Sequence, residues 1–162
     1  MRSYVIIIAL VFVADQVSKY LIISNFALYE ARVVIPDFFN LVYVTNKGAA
    51  FSLFASIESS MIHYFFVLVK ISAFIGLTIA AFVMRNKSLP YVIAFAMISA
   101  GALGNVVDRL VHGAVIDFLD FYLGSYHWPA FNVADSSICV GVAVLFYINI
   151  TEIISENKRR SA

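Results

Sequence analysis

The sequence predicts an all-α membrane protein with four transmembrane helices, a small extracytoplasmic β-sheet and a short interfacial helix. Of its 162 residues, 62% are hydrophobic and 13% are charged, which is about half the charged share of an average soluble domain. A hydrocarbon core about 30 Å thick needs roughly 20 helical residues to cross it. Apolar stretches of that order lie at Tyr4–Ile23, Met61–Met84, Tyr91–Val107 and Ala134–Ile154. Because lipid admits only helices or a closed barrel, these runs predict one four-helix domain over residues 1–162.

The first stretch begins like a cleavable signal peptide, since Arg2 precedes eleven unbroken apolar residues from Tyr4 to Ala14. Cleavage after Ala14 would place the bulky Phe12 where a small residue belongs, and apolar residues resume at Tyr20. We therefore interpret this stretch as a retained transmembrane helix.

Lysine and arginine are unevenly distributed between the predicted spans. If the helices alternate in direction, Arg2, the turn at 85–87 and the tail at 158–160 lie on one side, and they hold six of the eleven Lys and Arg residues. The opposite segments, 24–60 and 108–133, hold only three, which are Arg32, Lys47 and Arg109. The positive-inside rule therefore predicts that both termini are cytoplasmic and that these two segments face outward.

The two outer segments differ in composition. In the first, the β-prone pieces Arg32–Ile35 and Phe38–Thr45 are separated by the turn residues Pro36 and Asp37, which predicts a small sheet. The second contains Phe118–Tyr126 followed by further aromatic residues, and such residues favour the headgroup level of a bilayer. We expect a short interfacial helix or flap there.

Ionisable residues within a span cost at least a few kcal/mol on insertion scales, so each needs a partner or a function. Asp15 and Lys19 lie four residues apart with the acid first, which is the favourable order for an ion pair on one helix face. We interpret them as a buried ion pair that fixes helix packing. Lys70, in the second span, has no role that the sequence explains.

The third predicted helix combines small and polar residues. Residues at four-residue spacing form a stripe that lets another helix approach closely, and these are Ala96, Ala100 and Gly104. A polar face follows at the outer end, formed by Asn105, Asp108 and Arg109. Taken alone, this face is also compatible with capping and solvation of a helix end.

Two carboxylates belong to the outer face at similar depth. Asp117 follows Gly113 in an apolar run, and Asp135 opens the fourth helix. Two acids a few ångströms apart do not both ionise easily, so a pair supplies one acid and one base for the attack of water on a peptide carbonyl. The free amides at the helix start favour ionised Asp135, whereas apolar neighbours favour protonated Asp117.

Five segments of the chain resemble, in the same order, those of the bacterial lipoprotein signal peptidases. They are Asp-Gln-Val-Ser-Lys at 15–19, Asn-Lys-Gly-Ala-Ala-Phe at 46–51, Gly-Asn-Val-Val-Asp-Arg at 104–109, Val-Ile-Asp-Phe at 115–118 and Phe-Asn-Val-Ala-Asp at 131–135. The resemblance implies an aspartic endopeptidase of the bacterial inner membrane that needs neither metal nor cofactor. Such an enzyme removes the signal peptide from prolipoproteins by cutting just before a cysteine that carries diacylglycerol.

The resemblance also assigns roles to individual residues. The catalytic pair falls on Asp117 and Asp135, and we interpret Asp108 as structural. Residues that support the site or contact substrate are Asp15, Lys19, Asn46, Asn105, Arg109 and Asn132. The small sheet would hold the substrate and the interfacial helix would cover the site. The implied partners are the lipidated prolipoprotein and membrane lipid, and we expect a monomer.

Two other function classes remain open at this stage. A small proton- or ion-conducting membrane protein is the alternative, since Asp15 and Lys19 are suited to a relay, although the other polar residues gather at the outer face. The second is a non-enzymatic scaffold in which the acids only cap helices. Such a scaffold would tolerate Asp117→Asn, and a protease would not.

Several chemistries lack a signal in the sequence. The three histidines, His63, His112 and His127, show neither the helical spacing nor the Glu motif of a zinc site. No Gly-x-Ser-x-Gly elbow is present. A net charge of +1 without a basic stripe argues against nucleic-acid binding. The one cysteine, Cys139, has no disulfide partner, and we expect it to be buried in apolar surroundings.

Overall fold

Four long helices and four short strands make up the fold. The structure is a computed structural model and describes residues 1–48, 60–85 and 88–160. Residues 49–51 of the motif at 46–51 and residues 86–87 of the predicted inner turn lie outside these described residues. The helices are α1 (Arg2–Asn25), α2 (Ser60–Val83), α3 (Leu89–His112) and α4 (Val133–Arg160).

Three of these helices, α1, α3 and α4, are long and apolar enough to cross a membrane. They confirm the predicted helices in the first, third and fourth apolar stretches. In α2 the apolar stretch among the described residues is Val67–Val83, which is shorter than the other three. The helix predicted at Met61–Met84 is therefore present, whereas its passage through the bilayer stays a prediction.

Helix α3 is the centre of the bundle and packs against α1, α2 and α4. Its predicted small-residue stripe lies inside, with Ala96 and Ala100 fully buried. A Cβ atom at Gly101 would clash with the backbone carbonyl of Ala134 in α4. One at Gly104 would clash with the carboxylate of Asp15 in α1. Gly101 therefore lets the backbone of α4 approach α3 closely, and Gly104 in the stripe leaves room for the Asp15 carboxylate of α1.

Hydrogen bonds from tyrosine hydroxyl groups join the helices at the end of the bundle where α1 begins. The Tyr4 hydroxyl in α1 donates to Ser99 Oγ in α3 at 2.9 Å and lies 2.8 Å from Thr78 Oγ1 in α2. The Tyr91 hydroxyl in α3 donates to Glu152 Oε2 in α4 at 2.9 Å. These bonds supplement the close packing on which helix association in lipid depends.

The strands form one antiparallel series in the order β1-β2-β3-β4. Their bounds are Ala31–Ile35, Phe39–Asn46, Val115–Leu123 and Tyr126–His127. The first two strands confirm the small sheet predicted from the first outer segment. Asp37, in the turn between them, has a positive φ of 59°, which turns of this kind accommodate best with Asp, Asn or Gly.

The short interfacial helix predicted over Phe118–Tyr126 is wrong, because this region is mainly strand β3. Whether the segment covers the site as a flap stays a prediction. Its β-branched and aromatic residues suit a strand as well as a headgroup environment. Strand pairing distinguishes between a strand and a surface helix. One edge of β2 pairs with β1, and β3 pairs along the other edge, from Phe39 opposite Phe121 to Asn46 opposite Val115. A helix at this position would leave the backbone groups of that edge unpaired.

Candidate active site

A buried ion cluster joins α1 to α3 beneath the sheet. Lys19 Nζ lies 2.8 Å from Asp15 Oδ2 and 2.7 Å from Asp108 Oδ2, and none of the three side chains is more than 2% exposed. The predicted pairing of Asp15 with Lys19 is confirmed, and the structure adds Asp108 as a second carboxylate. One ammonium between two carboxylates satisfies groups that would otherwise be costly to bury.

The same cluster reaches α4 and β3 through backbone amides. Asp15 Oδ1 accepts a hydrogen bond from Ala134 N in the first turn of α4 at 2.8 Å. Asp108 Oδ2 accepts one from Ile116 N in β3 at 3.2 Å. The amide group of Gln16 donates to both carboxylates at 3.1 Å. Sequence reasoning assigned no role to Gln16, although it lies within the motif at 15–19.

Asn132 is the residue that connects the two candidate catalytic acids. Its side chain is fully buried, and its Nδ2 donates to Asp117 Oδ1 at 2.7 Å. Its Oδ1 accepts a hydrogen bond from the backbone amide of Asp135 at 2.9 Å. The second contact has the form of a helix N-cap, because Asn132 directly precedes α4. Asn132 thus connects the first turn of α4 to the Asp117 carboxyl group on β3.

Asp117 lies on β3, opposite Val44 of β2. The carboxyl group is 3% exposed and also receives a hydrogen bond from Asn46 Nδ2 at 3.3 Å. Burial, followed by the charge of Asp135, raises the pKa of Asp117 to about 7. The two amide donors act in the opposite direction and do not cancel this effect. Asp117 therefore holds its proton far more readily than an ordinary aspartic acid.

Asp135 occupies the first turn of α4. Its Oδ1 accepts a hydrogen bond from Asn105 Nδ2 in α3 at 2.8 Å. Asn105 Oδ1 in turn lies 3.3 Å from Lys19 Nζ and 3.3 Å from Asn132 Nδ2. The first amides of a helix have no partner within it and carry partial positive charge. Asp135 therefore lies half-buried at a helix start, whereas Asp117 is buried on a strand.

Arg109 is buried in α3 and holds the chain that follows β2. Its guanidinium donates to the backbone oxygen of Lys47 at 3.0 Å and also to that of Gly48. Because Asn46 immediately precedes these residues, Arg109 fixes the strand end that presents an amide to Asp117. The sequence places Arg109 beside Asn105 and Asp108 and does not reveal this contact.

A cavity of about 540 Å³ opens between these elements. Both candidate acids line it, together with Asn46, Asn105 and Arg109. The wall is completed by residues of the connection to α4, of α4 itself and of α2, among them Trp128, Pro129, Phe131, Ile138, Cys139 and Lys70. Its mixture of apolar walls and convergent polar groups is typical of a binding site.

Cys139 corrects one expectation from the sequence. It is exposed rather than buried, and it lines the cavity. The apolar run around Cys139 indicated a core position, but in a membrane helix apolar residues also face lipid or a cavity. Hydropathy alone does not distinguish these surfaces.

The structure brings the predicted site residues together. Asp117 and Asp135 line the cavity, and each of the six predicted supporting residues lines it or belongs to the hydrogen-bond network around it. In residues 1–48, 60–85 and 88–160, no group of three or more His, Cys, Asp or Glu side chains has a metal-binding arrangement. A separate cluster on the sheet, formed by Asn40, Asp120 and His127, was missed by the sequence reasoning.

The fold and the site together define a helical membrane protein with two inequivalent carboxyl groups in one cavity at the sheet-covered end of its bundle. A sequence model of the family described as signal peptidase (SPase) II matches residues 7–151. The lipoprotein signal peptidase of Alteromonas mediterranea is 51% identical over 139 residues, which are 85% of this chain and 74% of that protein. The lipoprotein signal peptidase of Syntrophus aciditrophicus is 42% identical over 160 residues, covering 98% and 96% of the two chains.

Solved structures agree with this relationship. A bacterial membrane enzyme determined by the in meso method at 2.3 Å resolution aligns with a TM-score of 0.82 and 32% identity, over 94% of this chain and 90% of that one. A second, at 1.9 Å resolution, aligns with a TM-score of 0.79 and 33% identity, over 91% and 92%. The chain belongs to the signal peptidase II family. It is a peptidase by family, consistent with cleavage of signal peptides from prolipoproteins, and the ion-conducting alternative is not supported.

Proposed function

We propose that the chain is an aspartic endopeptidase that removes the signal peptide of diacylglyceryl-modified prolipoproteins, with Asp117 and Asp135 as its catalytic pair. The observation that carries this proposal is the shared cavity: both carboxyl groups line it, and the side chain of Asn132 binds one acid and the backbone of the other. A peptide bond held in this cavity has an acid on one side and a base on the other.

The two acids divide the chemistry by their surroundings. The raised pKa of Asp117, which burial and the Asp135 charge bring to about 7, supports a protonated Asp117 at neutral pH. Asp135, in the first turn of α4, is assigned the role of the base. Asp135 takes a proton from water while the water oxygen bonds to the carbonyl carbon, and Asp117 gives its proton to the carbonyl oxygen. This division follows the pattern by which carboxyl pairs supply both an acid and a base.

The tetrahedral intermediate then breaks at its C–N bond. The proton that Asp135 took from water passes to the leaving nitrogen, which becomes the amino group of the lipidated cysteine. Asp117 recovers a proton from the intermediate as the carbonyl re-forms on the signal peptide. Neither step requires a resident metal or cofactor, and each acid ends in the protonation state in which it began.

The surrounding amides keep the pair in place. Asn46 and Asn132 donate to Asp117, and Asn105 donates to Asp135. Fixed donors of this kind position a carboxyl group and spare it reorganisation during the reaction. In this scheme Asp15 and Lys19 act through Asn105 and the start of α4, and they do not touch the substrate.

We also propose that four helices cross the bacterial inner membrane, with both termini in the cytoplasm and the site at the outer face. The excess of Lys and Arg in residues 2, 85–87 and 158–160 supports this orientation. The cavity then lies near the outer membrane surface, where a lipidated cysteine presents its peptide bond. Buried acyl chains supply roughly 0.8 kcal/mol per CH₂, so the lipid helps to hold that bond at the pair.

Substitution of each acid tests the proposed chemistry. Asp117→Asn and Asp135→Asn should each lower the cleavage rate to background, because asparagine keeps the size of aspartic acid but does not exchange the proton. The two acids act as one unit, so the double variant should be little worse than either single variant. The measurement is the initial rate of cleavage of a diacylglyceryl prolipoprotein by detergent-purified protein, with and without a chelator.

Asp120→Asn is the matched control on the same strand. Asp120 is also buried but binds Asn40 and His127 on the sheet, so this variant should keep substantial activity. Binding of lipidated substrate should survive in both active-site variants. Full activity of Asp117→Asn or Asp135→Asn would remove that residue from the chemistry. Equally fast cleavage of the unlipidated precursor would contradict the proposed role of the lipid.

A further inference from the structure

Lys70 is the charged residue of α2 that lines the cavity. It is half-buried, and within the described residues no hydrogen-bond or ion-pair partner of its ammonium is present. Arg109, Asp135 and Asp117 act on it electrostatically across the cavity. A lysine within a membrane helix is costly to place in hydrocarbon, so it needs a partner or a function. Because Lys70 lines the cavity, we infer that its partner is a ligand bound in that cavity.

The depth of Lys70 along α2 restricts what that ligand can be. At 1.5 Å of rise per residue, Lys70 lies about 20 Å along the helix from its end at Val83. In the proposed orientation Val83 is close to the cytoplasmic surface, which places Lys70 well inside a hydrocarbon core about 30 Å thick. Helices α2 and α4 both pack on α3, whereas close packing of α2 on α4 is absent from the described residues. A substrate segment within the membrane therefore has access to the cavity between α2 and α4.

A signal peptide brings a helix end to this depth. Its apolar segment has about 7–15 residues, which as a helix measures only roughly 10–22 Å. Starting from the cytoplasmic surface, it ends inside the hydrocarbon core, and the chain beyond it must extend to enter the active site. The last four carbonyl groups of that helix have no partner within the helix, and no water is present to bind them.

We propose that Lys70 binds the carbonyl end of the signal peptide's apolar helix and so acts as a substrate-binding residue beneath the catalytic pair. This inference rests on the proposed function, because it takes the signal peptide as the substrate. An ammonium has three donors, and a helix end carries about half a negative charge, which favours a cation. The free carbonyls supply a partner that Lys70 lacks among the described residues, and Lys70 supplies the donors that the carbonyls lack.

The test compares two substrates that share the lipidated cysteine and the residues next to the cleaved bond. One is a full-length prolipoprotein, and the other is a short diacylglyceryl peptide without the apolar segment. Steady-state kinetics are measured for the wild type, Lys70→Met and Lys70→Arg. Lys158→Met, in the last turn of α4, is the matched control for the loss of a lysine away from the cavity. Thermal unfolding in the same detergent reports whether each variant is folded.

We expect Lys70→Met to lower the ratio of kcat/KM for the precursor to kcat/KM for the short peptide by about tenfold, the loss of one hydrogen bond to a charged group. The change should lie mainly in KM, because these carbonyls do not react. Lys70→Arg keeps a cation with several donors and should restore most of the ratio. Lys158→Met should leave the ratio at the wild-type value.

Other outcomes overturn the inference in distinguishable ways. Equal losses on both substrates would place Lys70 at the catalytic pair and not at the helix end. An unchanged ratio with unchanged rates would show that the ammonium contacts no part of the substrate. If the wild type cut neither substrate, the proposed function would fail, and the inference that depends on it would fail with it.

Discussion

Replacement of Asn132 by alanine should damage both stability and catalysis. The change removes the acceptor for the Asp135 amide at 2.9 Å and the donor to Asp117 at 2.7 Å. Loss of an N-cap costs about 0.5–2 kcal/mol, and an unsatisfied buried polar group costs about 1–3 kcal/mol. The sum is about 1.5–5 kcal/mol, and its middle value of about 3 kcal/mol corresponds, for a chain of this size, to a fall in Tm of roughly 10 °C. Loss of the fixed geometry should also lower kcat roughly 100-fold.

The assay is thermal unfolding in detergent, combined with the initial rate of cleavage. Asn149→Ala is the matched control, because Asn149 is an exposed residue of α4 that donates to Leu145 O in the same helix and accepts a hydrogen bond from the Tyr91 hydroxyl, far from the cavity. Its Tm should change by less than about 2 °C. Asn132→Ser should recover much of the stability, since serine caps helices well, but not the rate, because it is too short to reach Asp117. A stable, active Asn132→Ala protein would refute this account of the site.

Two further predictions concern pH and topology. The rate should fall as pH rises through about 7, because Asp117, whose pKa burial and the Asp135 charge raise to about 7, then loses its proton. A pKa above the ordinary value also means that Asp117 stabilises the fold at low pH and that this contribution is lost between about pH 4 and pH 7. Rates and Tm values measured across this range, with Asp117→Asn as the reference, check both signs; a flat rate profile would contradict the assignment of the acid. A reporter active only outside the cytoplasm should work when fused near Ser125 and fail after Ala162, and the reverse pattern would place the acids at the cytoplasmic face.

The helices were predictable because apolar length is a local property of the sequence. Their ends were less so, and α3 shows the reason. The span predicted from hydropathy ends at Val107, where polar residues interrupt it, whereas the helix continues to His112. Asp108 and Arg109 are polar but buried, and they bind Lys19 and the chain after β2. A helix that continues into a polar protein interior cannot be recognised from hydropathy, because its partners lie elsewhere in the sequence.

The error over strand β3 has a related cause. Its aromatic and β-branched residues are common both in strands and at the membrane surface. Pairing of Asn46 with Val115 and of Phe39 with Phe121 decides for a strand, and such pairing is a long-range property. The same holds for Asn132, whose position between two acids follows only from the fold. The resemblance placed it near the site but gave no indication that it connects the pair.

The position of Asp135 depends on an ion pair in the first helix. Asp15 Oδ1 binds Ala134 N at 2.8 Å, one of the first amides of α4, which have no partner within the helix. Lys19 binds the other oxygen of Asp15 at 2.8 Å and Asn105 Oδ1 at 3.3 Å, and Asn105 Nδ2 binds the Asp135 carboxylate at 2.8 Å. Both the backbone next to Asp135 and its side chain are thus anchored through α1. The pair that the sequence indicates as a packing device therefore also helps to determine where the proposed base lies, a positioning role that two apolar residues at 15 and 19 would not supply.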